Sequence, residues 1–568
     1  MSRRGLIAVA AVALSAVAAP ATAQATFTPT LGASATSTQA GAATDFTTTV
    51  NIPASDEDVR DLTFHLPPGL IGNPQATPLC PQATFNSGTC PTNTQVGTTV
   101  VSASISAVPV PDSNGQVFNL EPSAGEPARL GVVIQVDPLG VNTPIKIPVV
   151  ASLRPNDGGL DATATNIPNT ITALNLPLHV TKQILTLQGH PAGATIPFIT
   201  NPTGCPSPAD NVTIDATSYS NTNASASAAY PVTGCASLPF NPNITAASDV
   251  SGGSAVGSHV SLSTVITQGS GETNPKKLVV ALPPAFTADT AAIGRSCGGT
   301  ALANDMCPAN TKVGTATAQT PVLSQPLSGN IYSAANGLGL AGFTIFLHGQ
   351  VALRLDGSVN PNNNTVTSTF DNIPDVPISR FQVNFAAGPD GALLAAQDLC
   401  QIGPQKLNTQ FFARSGATKA LTPDLTVTGC PAVPKGNGKP HAKITARKLG
   451  GAKPKLSLSL TAGDSALAGA TLKLPKLLVG HPGKGKVKVS SDKGSAKGKA
   501  RRHTLVVPKL PDATSKLNLT ASGGAITASA ALKRKLAAKP KASLGFRLKV
   551  RQQGAGTVTL RVSAKGTR

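Results

Sequence analysis

The chain has 568 residues, of which 40% are hydrophobic, 13% charged and 3% aromatic, with no Trp. Its 54 Gly and 48 Pro exclude an all-helical protein, because both weaken helix interiors, and its hydrophobic content excludes a chain disordered throughout. The formal charge of +20 is split: residues 1–430 carry 16 Lys and Arg against 23 Asp and Glu, whereas residues 431–568 carry 30 against Asp464, Asp492 and Asp512.

Arg3 and Arg4 precede a small-apolar run from Leu6 to Ala19, which Pro20 breaks before Ala21-Thr22-Ala23. That order reads as an export signal over residues 1–23, cleaved before Gln24. As a helix the run would be about 21 Å long at ~1.5 Å per residue, short of the ~30 Å that a membrane anchor must cross. Ser2-Arg3-Arg4-Gly5-Leu6-Ile7 also matches a twin-arginine signal loosely, which leaves the export route open. The first thiol is Cys80, too far along for a lipid anchor at the cleavage point.

Thr47 to Ile52 is rich in β-branched residues, and Leu62-Thr63-Phe64-His65-Leu66 alternates apolar and polar as a half-buried strand does. Between them Asp56-Glu57-Asp58 and Asp61 form an acidic cluster, expected to be a solvated loop rather than a calcium or acid–base site. His65 is expected to be a lone surface histidine. Asp112-Ser113-Asn114-Gly115 and Asp356-Gly357 resemble fragments of calcium loops without the later ligands, and are expected to be turns.

The segment then repeats. Leu62 to Leu70 returns as Leu278 to Phe286, Cys80 and Cys90 return as Cys297 and Cys307, and Cys205 and Cys235 correspond to Cys400 and Cys430. The spacings of 10 and 30 within pairs are kept, while the gap between pairs changes from 115 to 93 residues. In an exported protein, eight Cys favour disulfides. Of the three pairings within a unit, nearest-neighbour bonds 80–90, 205–235, 297–307 and 400–430 fit best. Zinc is disfavoured because no Cys-x-x-Cys occurs. Gly337, Gly339 and Gly342 match GxGxxG, but without a strand–helix context they read as a glycine-rich turn or strand.

Residues 431–443 read as a Pro/Gly/Lys-rich linker. Alternating strands follow at Leu456–Leu460, Val487–Val489, Leu517–Leu519, Phe546–Arg551 and Thr557–Val562, with a short helical turn at Ala531–Ala538. The Leu-Pro pair of Thr471-Leu472-Lys473-Leu474-Pro475 marks the tail as a shortened, cysteine-free relative of the repeat's beginning. The predicted organisation is a signal peptide (1–23), repeat units 24–237 and 238–430, the linker, and a basic domain 444–568. The predicted fold is all-β: tandem antiparallel β-sandwiches, immunoglobulin-like in general architecture.

Leu66-Pro67-Pro68-Gly69-Leu70-Ile71-Gly72-Asn73-Pro74, Cys80, Cys90-Pro91, Val96-Gly97, Phe118 to Pro122 and Gly125-Glu126-Pro127-Ala128-Arg129 give the region Phe27–Cys430 its likeness to a known group. It resembles secreted repeat proteins of high-GC Gram-positive bacteria. That resemblance implies export and a surface location and brings no activity; the second unit lacks the Glu-Pro-Ala-Arg segment.

Lys484, Lys486, Lys488, Lys497, Lys499, Arg501 and Arg502 crowd into what reads as a Gly/Ser-rich loop. A net charge of +27 over the tail exceeds what solubility requires and attracts polyanions over ~8–10 Å. The expected partners are anionic cell-wall polymers or a membrane surface. Polysaccharide held in the repeat loops is the alternative, and nucleic acid is disfavoured because Phe546 is the tail's sole aromatic residue. No His-Glu-x-x-His, Gly-x-Ser-x-Gly or complete P-loop occurs, so no enzyme and no cofactor are expected, with a secreted hydrolase as the third reading.

Overall fold

The computed structural model describes residues 27–136, 143–155, 157–171, 174–335, 341–360, 366–430, 438–507, 509–553 and 556–568. The export-signal reading at 1–23 and residues 431–437 of the linker reading lie outside them. Among the described residues the protein is all-β, with two 13-stranded sheets, one 10-stranded sheet and three two-stranded ribbons.

In the first sheet the main path runs through Thr30–Ala35, Phe46–Asn51, Leu176–Leu187, Gln95–Ile105, Ser113–Leu120, Ala128–Val136, Thr143–Leu153, Leu160–Ala164, Val59–His65, Asn211–Ser218 and Asn223–Ala229. Every pair in it is antiparallel. The last strand returns alongside the first, so the sheet folds over and its inner faces oppose one another. Alternation drives this: in Phe46–Asn51, Phe46, Thr48 and Val50 are buried while the residues between them are half-buried or exposed. Inward residues of distant strands, among them Val101, Val132, Ile147 and Leu178, meet in one core.

The second sheet repeats this order. Leu262–Thr267, Arg380–Phe385, Lys312–Gln319, Leu327–Ala335, Ala341–His348, Leu353–Asn360, Thr367–Phe370, Pro275–Ala281, Asn408–Ala413 and Thr418–Leu421 stand where the corresponding strands of the first stand. The tail is a third copy. Its sheet runs Gly494–Lys497, Lys486–Ser491, Lys516–Ser522, Lys455–Thr461, His441–Arg447, Gly556–Thr567, Lys541–Gln552, Leu467–Lys473, Thr504–Val507, Lys499–Arg501. Two changes separate it from the others. Among the described residues no strand corresponds to Ala128–Val136 or Ala341–His348, since Gly498 alone joins Gly494–Lys497 to Lys499–Arg501. The ring is also closed on the opposite side, by the parallel pairing of Ala446 with Gly566.

The Leu-Pro pair marks the same place in all three. The amide of Leu66, Leu282 or Leu474 donates to Leu160, Val366 or His503 at 2.8–2.9 Å. A turn follows, in which Leu70, Phe286 or Leu478 donates back to the proline carbonyl of Pro67, Pro283 or Pro475. The next short strand then joins a minor ribbon: Ile71–Gly72 with Ile199–Thr200, Phe286–Ala288 with Leu393–Ala395, and Leu478–Gly480 with Ile526–Ala528.

All four disulfides join nearest neighbours: Cys80–Cys90, Cys205–Cys235, Cys297–Cys307 and Cys400–Cys430. The ten-residue loops hold short helices at Gln82–Ser87 and Gly299–Ala303, too brief to leave a 3.6-residue pattern in the sequence. The tail's helix spans Ala530–Ala538; Ser529 caps it by accepting from Leu532 N at 3.3 Å, and Leu532 and Leu536 face the core. Without cysteines, the third copy relies on a leucine-rich core that includes Leu456, Leu505, Leu517 and Leu548, each such burial contributing about 1.5–3 kcal/mol.

The turn readings at two sites are corrected. Ser113, Asn114 and Gly115 lie in the strand Ser113–Leu120, and Asp356-Gly357 lies in Leu353–Asn360. The glycines serve close packing: a Cβ on Gly115 would lie 2.6 Å from the Val133 carbonyl, and one on Gly357 2.8 Å from the Phe343 ring. Gly342 is in the strand Ala341–His348, while Gly337 and Gly339 fall outside the described residues.

Candidate functional site

The acidic cluster of the first copy is spent on structure. Asp56 accepts from Thr28 N (2.6 Å) and Thr28 Oγ1 (3.1 Å), and Glu57 accepts a short bond from Ser218 Oγ. Asp58 meets His179 Nδ1 at 2.6 Å and Asn169 Nδ2 at 3.3 Å; Asp61 takes Arg60 Nε at 2.8 Å and Asn166 N at 3.0 Å. The cluster is therefore not the solvated loop expected, because strands and loops distant in sequence, together with adjacent Arg60, supply a donor for each carboxylate. Among the described residues no three His, Cys, Asp or Glu converge on a metal position.

His65 is not a lone surface histidine. Its Nδ1 lies 2.8 Å from Asp161 and its Nε2 3.0 Å from Asp215, on the two strands that flank its own, and Arg154 bonds Asp161 at 2.7 Å. Burial lowers the imidazole pKa, but hydrogen bonds and charge from both aspartates outweigh it and hold the pKa above its ordinary value. The Glu-Pro-Ala-Arg segment is a strut. Arg129 grips Glu126 with a two-pronged bond (2.6 and 2.8 Å) and reaches Gln82 Oε1 at 3.1 Å, which braces the first disulfide loop. The bond from Arg129 holds the Glu126 carboxyl below its usual range.

The seven expected tail cations are all exposed. The loop reading around them is corrected: Lys486–Ser491, Gly494–Lys497 and Lys499–Arg501 are short strands, because Val487 and Val489 alternate with the lysines and can face inward. The register sets Lys488 opposite Lys497. Among the described residues none of the seven forms an ion pair.

A second basic feature escaped the sequence reading. Lys473 pairs across strands with Arg547, and Arg547 with Arg561, so three cations stand in one row over three adjacent strands. With Lys476 they surround an open groove of about 650 Å³, whose lining also includes Gly545 and Ser563. Gly545 and Ser563 face each other in the register, and a Cβ on Gly545 would meet nothing within 4 Å, which leaves the groove floor clear. The period-two pattern of Lys541–Gln552 hinted at this face, but no sequence spacing could align residues 473, 547 and 561.

The tail's three carboxylates are engaged elsewhere. Asp464 accepts from Gly438 N at 2.8 Å, Asp492 accepts from Ser515 N and Lys516 N, both at 3.1 Å, and Asp512 accepts from Gln401 Nε2 at 2.6 Å. Burial raises the Asp492 pKa, but its bonds from Ser515 and Lys516 outweigh that and keep it low. The cationic face therefore keeps its charge uncompensated.

No protein-family profile matches the chain, and no curated protein matches it. Among solved structures, a tetra-tandem repeat from the extending region of a large adhesion protein is 10% identical, with 95% of this chain and 99% of that one covered and a TM-score of 0.16. A Ca²⁺-stabilized adhesin of an Antarctic bacterium is 9% identical, with 96% and 99% covered and a TM-score of 0.15. The C-terminal domain of the Streptococcus agalactiae AgI/II polypeptide BspA is 9% identical, with 57% and 100% covered and a TM-score of 0.16. Likenesses at these scores carry no argument about this chain.

Proposed function

We propose that this is an exported, surface-associated structural or adhesive protein. In this reading its two disulfide-braced copies are displayed by a third, cationic copy that holds the molecule on anionic envelope polymers. One observation carries the reading: three copies of one fold differ in charge, and only the third lacks cysteines and fills its outer faces with exposed cations, of which the seven expected from Lys484 to Arg502 form no ion pair among the described residues. Packing does not require this, because the other copies build the same sheet with few cations. A dense, uncompensated face of one sign is an electrostatic device for a polyanion.

The test is binding of the full chain to washed cell envelopes across a salt series. Bound protein is expected to elute as salt rises from about 0.1 to 1 M, where screening shortens from ~10 to ~3 Å. The variant with all seven of Lys484, Lys486, Lys488, Lys497, Lys499, Arg501 and Arg502 changed to Gln is expected to elute at several-fold lower salt. Retention insensitive to salt and released by a neutral saccharide would replace this reading with a polysaccharide site.

A further inference from the structure

We infer that the groove between Lys473, Lys476, Arg547 and Arg561 is a discrete binding site for a phosphodiester-linked polyanion. This rests on the envelope-binding reading and names the place and chemistry of recognition. Like charges directly opposite one another across strands are destabilising, and here the opposition occurs twice in succession, at Lys473–Arg547 and Arg547–Arg561. The fold does not demand it. In the first copy the row that ends at the Leu-Pro pair is His65, Thr213 and Ser227, and in the second Ala281 stands opposite Asn408. The third copy alone sets cations opposite one another there, whereas His65 of the first lies between two aspartates, and among the described residues none of the four forms an ion pair.

The shape and donor types select the ligand. Arg547 and Arg561 are adjacent guanidinium forks suited to paired oxyanion oxygens. Lys473 and Lys476 approach from another strand and its turn, and Ser563 adds a hydroxyl beside the open floor at Gly545. Donors that converge from several elements suit a tetrahedral phosphate, whose oxygens point in several directions, better than a planar carboxylate. An open groove also lets a chain pass through, so one diester can sit on the row while its neighbours extend away.

Binding of the full chain to a glycerol phosphate hexamer and to a galacturonate hexamer, followed by calorimetry at several salt concentrations, tests this. The intact protein is expected to prefer the phosphodiester at least tenfold. The double variant Arg547→Gln/Arg561→Gln should weaken phosphodiester binding at least tenfold and flatten the log–log salt slope by about 1.4, at ~0.7 per lost contact on a single-stranded polyanion. Lys484→Gln/Lys486→Gln/Lys488→Gln should cost less than threefold. Arg547→Lys/Arg561→Lys, which keeps the charge and the strand pattern, should keep the slope but bind several-fold more weakly. Equal loss per charge from the double and triple variants overturns the groove while leaving the envelope reading intact. Equal affinity for galacturonate overturns the phosphodiester assignment. No binding of either hexamer by the intact chain, at any salt, overturns both readings.

Discussion

His65 shows how one residue can tie three strands. Its two ring nitrogens reach Asp161 and Asp215, and Arg154 supports Asp161 from the next turn. Because the folded-state pKa is raised, the stabilisation is fully present below the unfolded value of about 6.5 and is lost as pH rises through the folded value. His65→Ala is expected to destabilise the first copy by about 0.5–1 kcal/mol at pH 5.5, a figure discounted for solvent screening, and by much less at pH 8.5. Thermal unfolding of the full chain at both pH values checks this; an equal loss at both would rule out the charged imidazole. The second copy has Ala281 at this position and shows that the fold itself does not need an imidazole there.

Among the elements, the disulfide loops and the cationic row serve opposite ends. The Cys80–Cys90 and Cys297–Cys307 loops are tied to their sheets in the same way: Cys80 N donates to Asn119 O at 2.7 Å, and Cys297 N to Ser333 O at 2.8 Å. Closing ten residues contributes about 3 kcal/mol by the chain-entropy account. The third copy lacks this brace and carries opposed cations as well. Its unfolding temperature is expected to rise with NaCl between about 0.02 and 0.3 M as repulsion is screened. Arg547→Gln should raise its stability by a few tenths of a kcal/mol at low salt, with the difference vanishing at high salt. Calorimetric scans of the full chain follow this through the transition that shifts; a row held by hidden acidic partners would instead lose stability with salt.

Across the whole molecule, carboxylates sit where copies meet. Asp375 of the second copy is 2% exposed and accepts from Thr203 Oγ1 of the first at 2.9 Å and from Asn274 Nδ2 at 2.8 Å. Between the second and third copies, Gln401 Nε2 bridges Asp398 and Asp512 at 2.6 Å each. Burial raises the Asp398 pKa, and the charge of Asp512 adds to it against bonds from Ser254 and Cys400 and the charge of Lys509. A carboxyl whose folded pKa is raised favours the folded contact below its unfolded value, near 4, and loses that contribution as pH rises through the folded value. Proteolytic separation of the second copy from the third is therefore expected to slow as pH falls from 7 to 4.5, when followed with a protease of flat pH response. Asp398→Asn should show slow cleavage at both pH values; cleavage of the parent that is indifferent to pH would discard this joint as a titrating contact.

The amino-acid sequence by itself determined the properties that survive without coordinates. Period-two alternation marked the strands at Leu62–Leu66 and Phe546–Arg551, because each residue's face depends only on its immediate neighbours. Identical 10- and 30-residue intervals pointed to the disulfide pairs, and the charge split is a matter of composition. The Leu-Pro pair at Leu474-Pro475 hinted at a third relative, but strand order showed that the relation extends through the whole tail, with one strand missing. Tertiary structure alone decided which long-range neighbours meet. It dispersed Asp56, Glu57, Asp58 and Asp61 among separate donors, placed His65 between two aspartates, and set Lys473 beside Arg547 and Arg561, 74 and 88 residues further on. The reason is that register between distant strands is fixed by closure of the sheet around its core, a global condition that no local pattern encodes.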